Sequence, residues 1–288
     1  MARDEPTLDD LRREIDDIDN RIHDLIQRRT EVVERVRDAK AGQPIKIRPS
    51  REAQVLERLA RRHKGPFPRR ELMRIWRELI VATLSFEGPF SVAVFDPEGE
   101  PGYWDLARDQ YGSFTPMTSL SSPRRVIEAV RSQQATVGIL PVPRHEEEDP
   151  WWPHLMTEQE EAPRVIARLP FAGPGNARGG DLEAVVICPI RLDETGRDRT
   201  FLAMEAGERI GTSHLRETMM AAGLEPDFMT AWKERGESGT WLHLVDVDGL
   251  IRSADPRVDD FMRRVQTPVS RTVSLGGYAR PLGRDELD

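Results

Sequence analysis

Cysteine occurs once in the 288 residues, at Cys188. A single thiol excludes an intramolecular disulfide and leaves no thiolate cluster for a metal. No apolar run approaches the 18 residues or so that a membrane-spanning helix needs. The opening MARDEPTLDD lacks the basic and apolar regions of a signal peptide, so a cytoplasmic protein is expected. Positive charge is in short supply, with 42 Lys and Arg against 50 Asp and Glu and a net charge of -8. That balance argues against a nucleic-acid partner or a membrane surface. The deficit is uneven: residues 1–87 hold 20 basic and 17 acidic side chains, and the remainder 22 and 33. The positive first third permits a small anionic substrate.

Between Leu8 and Lys40 there is neither proline nor glycine. Leu8, Leu11, Ile15, Ile18, Ile22, Leu25, Val32 and Val36 alternate at spacings of three and four, which a helix arranges along one seam. A helix of that length spans roughly 50 Å, more than a small domain is wide, so it is expected to pack against a partner chain as well as its own. Arg29 interrupts the seam where an apolar residue is due, and a guanidinium there calls for an anion. Lys40 lies three turns on, about 16 Å along nearly the same face, so the two can bracket a small ligand. Arg12 is roughly 25 Å from Arg29, too far to share that ligand unless two such helices run antiparallel in a dimer. Each of the three is also readable as one member of a solvated basic face.

Gly42, Pro44 and Pro49 end this helix, and Ser50 is the expected N-cap of a second, with Arg51 and Glu52 in its first turn. A third helix is expected from about Arg69 to Glu87. Its stripe Leu72, Ile75, Trp76, Leu79 and Ile80 continues into Thr83 and Glu87, placing a hydroxyl and a carboxyl where leucine would be ordinary.

This order of helices, with Arg12, Arg29, Lys40, the Arg51-Glu52 pair and WRELIVATLSFE from 76 to 87, resembles the all-helical chorismate mutase family over the first 87 residues or so. The resemblance implies an intertwined homodimer of three-helix subunits whose sites are shared. The reaction is the [3,3] rearrangement of chorismate to prephenate, needing no cofactor and no metal. On matching positions it implies that Arg12 of the neighbouring subunit and Arg29 grip the carboxylates, where forked donors suit bidentate contact. Lys40 meets the ether oxygen, Glu52 binds the ring hydroxyl with Arg51 beside it, and Thr83 lines the site. Glu87 stands where the family often has Gln; to donate to the ether oxygen it must be protonated, through burial that raises its pKa. The rate should then fall as pH rises above neutrality, and a flat profile to about pH 9 would remove the donor role. Arg48 stands where an Asp that positions substrate is common.

From Gly88 the pattern alternates strands and helices. FSVAVFD, TVGILPV, RVIARLPF and LEAVVICP read as strands, with helices at PGYWDLARDQYG and SSPRRVIEAVRSQQ. This stretch resembles the first lobe of prephenate dehydratase, with Asp96-Pro97-Glu98-Gly99-Glu100 for its Gly-rich loop and Pro143-Arg144-His145 for its Glu-Asn-Ser. Only AGPGNARGGD stands in place of the second lobe. Leu182-Glu183-Ala184 replaces the Thr-Arg-Phe signature, so dehydratase chemistry is expected to be lost. The last segment reads βαββαβ and resembles an ACT regulatory domain in WLHLVDVDG and LGGYARPL. Its amino-acid-binding signatures are altered to Gly211-Thr212-Ser213-His214-Leu215 and Lys233-Glu234-Arg235-Gly236, leaving an aromatic amino-acid effector possible.

The expected architecture is multidomain: an all-α three-helix domain (1–88), an α/β lobe (89–193) and a βαββαβ ACT-like domain (194–288). The expected function is chorismate mutase. The alternatives are a bifunctional mutase and dehydratase, or a non-catalytic regulator that binds an aromatic metabolite.

Overall fold

The structure is a computed structural model that describes residues 6–39, 47–84, 89–98, 102–173, 181–234 and 239–288. The chain divides into two compact units, residues 1–46 with 83–88 and residues 47–82 with 89–288.

The first unit is built on α1 (Leu8–Ala39), an uninterrupted helix of 32 residues. Its start is closed reciprocally, Thr7 accepting from the Asp10 amide and Asp10 accepting from the Thr7 amide. All eight seam residues are exposed within the single chain, Leu25 to 69% and Leu8 to 63%. Thr83 and Leu84, at the end of α3 (Arg69–Leu84), are buried and belong to this unit.

The second unit begins with α2 (Pro49–Arg62). The expected Ser50 cap is corrected: Arg48 holds the N-cap, Pro49 opens the helix, and the Ser50 hydroxyl donates to the Asp193 carbonyl at 2.6 Å. Proline supplies the helical φ at a position whose amide would have no partner, so the helix starts one residue early. The expected stripe of α3 holds at Ile80 and Thr83, with Leu72 and Trp76 packed on the core, but the buried face is wider. Met73, Arg77, Ile80, Val81 and Leu84 are buried, whereas Ile75 of the expected stripe is 46% exposed.

The remainder is one nine-stranded sheet. In chain order come β1 (Val92–Phe95), α4 (Tyr103–Tyr111), β2 (Met117–Leu120), α5 (Pro123–Arg131), β3 (Val137–Pro141), β4 (Arg164–Leu169) and β5 (Ala184–Cys188). They are followed by β6 (Asp198–Ala206), α6 (Thr212–Ala221), β7 (Pro226–Lys233), β8 (Trp241–Asp248), α7 (Pro256–Arg264), β9 (Val269–Ala279) and the short α8 (Arg284–Leu287). The spatial order is β2-β1-β3-β5-β4-β9-β6-β8-β7. β1 pairs parallel with β2 and β3, and the parallel pairing requires the crossovers that α4 and α5 supply. β4 and β5 form an antiparallel pair, consistent with the short connection between them.

The strands of the last segment, β9-β6-β8-β7, are all antiparallel and carry the expected βαββαβ order. α6 and α7 cover one face through Leu215, Met219, Val258 and Phe261. The other face, with Phe201, Leu244 and Tyr278, joins the core that holds Trp151, Trp152 and α5. The two halves of the sheet meet at the Val165–Gly276 bridge. Gly276 has φ +103°, and a Cβ there would lie 2.3 Å from the Val165 carbonyl oxygen, so only glycine admits this approach.

Candidate active site

The residues expected to bind substrate divide between the units. Arg12 and Arg29 lie on α1 and Thr83 at the end of α3, in the first; Arg48, Arg51 and Glu52 open α2, in the second. Lys40 and Glu87 lie outside the described residues. Arg12 is exposed and donates to Asp9 at 3.3 Å, a contact worth little in water. Arg29 is half-buried, and that burial pulls its guanidinium pKa below the ordinary range. Arg48 is half-buried and donates to its neighbour's carbonyl, that of Ile47, at 3.0 Å, while Arg51 is exposed.

Glu52 is the most constrained member of the set. It is 8% exposed, and Arg77 of α3, itself 7% exposed, donates to its Oε2 at 2.5 Å. Sequence reasoning missed Arg77, which falls outside the stripe read for α3. Its signal was its place four residues after Met73 and four before Val81, both buried. A buried guanidinium requires an anion, and only the fold reveals which one. The pair reaches further into the second unit. Tyr111, at the end of α4, is fully buried, and burial first and the Glu52 carboxylate second push its phenol pKa well up.

The place where a dehydratase signature is expected holds a structural network. Glu183 binds Arg168 bidentately at 2.7 and 3.1 Å. Arg168 donates to the Tyr278 hydroxyl at 3.1 Å, and Tyr278 donates to the buried Asp246 at 2.6 Å. Arg199 closes the network on Asp246 at 2.9 Å. Every charge here has a protein partner, so the cluster ties β4 and β5 to the last four strands. His243, whose ring accepts from the Ile210 amide at 3.3 Å, is pushed down to about 4 by burial and stays neutral near pH 7. His214 of the altered effector loop is half-buried in the first turn of α6, and Arg235 and Gly236 of the second altered segment lie outside the described residues.

Among the described residues, no helix is long and apolar enough to cross a membrane. A family model described as chorismate mutase type II matches residues 11–88. The chain is 34% identical over 141 residues to a bifunctional chorismate mutase/prephenate dehydratase of Aquifex aeolicus, covering 47% of this chain and 38% of that protein. It is 31% identical over 145 residues to the protein so described from Pseudomonas aeruginosa, covering 48% and 40%. The matched stretch thus spans about two-fifths of the curated relatives. Solved structures overlap loosely. GqqA, described as a novel type of quorum quenching acylase, gives a TM-score of 0.49 at 15% identity over 68% of this chain and 97% of its own. A prephenate dehydratase from Arthrobacter aurescens in complex with L-Phe gives 0.48 at 14% identity over 67% and 92%. Residues 11–88 are therefore a type II chorismate mutase domain, carried on a chain whose remainder is a mixed α/β sheet.

Proposed function

We propose that this chain converts chorismate to prephenate through its first 88 residues, that residues 89–193 are a dehydratase-like lobe without dehydratase activity, and that residues 194–288 are an ACT-like regulatory domain. The observation that carries the reading is the match of residues 11–88 to the mutase family. The rearrangement is intramolecular: one carbon–oxygen bond breaks, one carbon–carbon bond forms, and nothing is lost. The protein has to fold the enolpyruvyl side chain over the ring and stabilise the charge growing on the ether oxygen. In this reading Arg29 and the partner subunit's Arg12 bind the two carboxylates, and Lys40 and a protonated Glu87 donate to the ether oxygen. Glu52 orients the ring hydroxyl, with Arg48, Arg51 and Thr83 completing the enclosure.

The exposed seam of α1 supports a homodimer, because eight apolar side chains on one face of a lone helix are otherwise left in water. Ile22→Glu, at mid-seam, should shift the protein to monomer in sedimentation velocity and lower mutase activity with it. A stable active dimer would remove the shared site. A cytoplasmic location belongs to the same reading, as expected for an aromatic amino-acid biosynthetic enzyme.

The deciding experiment follows chorismate loss and prephenate formation with purified protein, with and without Phe, Tyr and Trp. Prephenate should accumulate without phenylpyruvate. Absence of chorismate turnover would end the mutase reading and leave the metabolite-binding regulator. Phenylpyruvate would restore the bifunctional alternative, against which the Glu183–Arg168 pair at the signature position speaks.

A further inference from the structure

A cavity of about 140 Å³ opens in the second unit between α3, α4 and the end of β4, and none of the residues proposed for the mutase site lines it. Its apolar wall comes from Leu56, Met73, Leu106, Leu169 and Phe171, each 8% exposed or less. Met73 and Arg77 stand one turn apart on α3, as do Leu106 and Gln110 on α4, so each helix brings an apolar and a polar side chain to the same wall.

Charge at this cavity is balanced. Arg74 donates to Asp109 at 3.4 Å, and Arg77 donates to Glu52 at 2.5 Å. Arg70 and Glu71 stand exposed at the mouth. With Glu52 counted, three cations meet three anions, so a charged ligand would enter without a counter-ion and a neutral one is favoured.

The independent sign of a ligand is Gln110. It is 9% exposed, yet its side-chain amide makes no hydrogen bond among the described residues. Its oxygen and nitrogen both keep accessible surface, so the amide is open to whatever fills the cavity it lines. Buried amides are ordinarily bonded, and this one presents a donor and an acceptor at once, which suits a hydroxyl. Water alone fits poorly, because it needs several polar partners and the five apolar side chains offer none. An apolar cavity of roughly 150 Å³ holds one benzene ring, so the space here matches a single ring.

We propose that this cavity binds a neutral one-ring phenol, its ring against Leu56, Met73 and Leu106 and its hydroxyl exchanging hydrogen bonds with the Gln110 amide. This assignment is independent of the mutase reading, and either can fail without the other.

The test is a fluorine NMR titration of the full chain at pH 7 with 4-fluorophenol and fluorobenzene, which differ by the hydroxyl alone. 4-Fluorophenol should bind saturably and at least roughly tenfold more tightly than fluorobenzene. Gln110→Leu should weaken 4-fluorophenol roughly tenfold and leave fluorobenzene bound as before or more tightly, which shows that the cavity is intact. Gln110 bonds nothing in the protein, so the variant should keep its circular dichroism and melting curve; Gln110→Met repeats the test should Gln110→Leu fail to fold. No saturable binding of 4-fluorophenol up to about 10 mM would show that water alone meets Gln110, and would overturn the proposal. Equal affinity for the two probes would also overturn it, as would a 4-fluorophenol affinity unchanged by the substitution, because the phenol would then sit elsewhere.

Discussion

Arg29→Ala and Lys40→Ala, made separately, should each lower kcat/KM for chorismate by on the order of 10²-fold to 10³-fold or more, about 3 to 4 kcal/mol of transition-state stabilisation. In the proposed reaction no nucleophile or metal shares the task, so on that reading the fixed cations would carry most of the catalysis. Arg29 is suited to the role because α1 draws it partly out of water: the burial that pulls its pKa down also strengthens its attraction for a carboxylate. Arg29→Lys should restore little, since an ammonium cannot reproduce the planar fork. Steady-state kinetics on purified variants decide the matter. Near-normal rates in either alanine variant would sink the assignment of that residue.

Arg77→Met should destabilise the second unit by about 3 to 5 kcal/mol, because it strands the Glu52 carboxylate in a buried position without its counter-ion. In a thermal scan this is a fall in apparent Tm on the order of 10 °C. The double variant Glu52→Met/Arg77→Met removes both charges and should regain most of the lost stability, since two apolar side chains of similar volume leave nothing unpaired. It should not regain mutase activity if Glu52 holds the ring hydroxyl. That split separates a structural ion pair from one that also orients a substrate-binding carboxylate. Stability unchanged in Arg77→Met would show that the pair contributes nothing, and full activity in the double variant would remove Glu52 from the site.

Much of this chain was legible before folding was considered. The period of α1, the breaks at Pro44 and Pro49, and the alternation of strands and helices after Gly88 are local properties of the chain. The structure places these strands and helices where they were expected. The misses have one character. β2 is a short half-exposed strand whose identity comes from pairing with β1, not from its own pattern. Ser50 was expected to cap a helix and instead bonds a carbonyl 143 residues away. The face of α3 was read only in part: Ile80 and Thr83 are buried as expected, but Arg77 looked like surface until Glu52 appeared opposite it.

From the amino-acid order alone came the helix lengths, the strand sequence and the cation set into an apolar seam, because periodicity and breaker residues act between neighbours a few positions apart; the mutase family came from the resemblance of the first segment. Only the tertiary structure decided which buried charges meet. Arg77 chooses Glu52, and Arg168 chooses Glu183 and Tyr278. Such pairings join groups far apart along the chain, and a charge's partner follows from distance and desolvation in three dimensions, which no local pattern encodes.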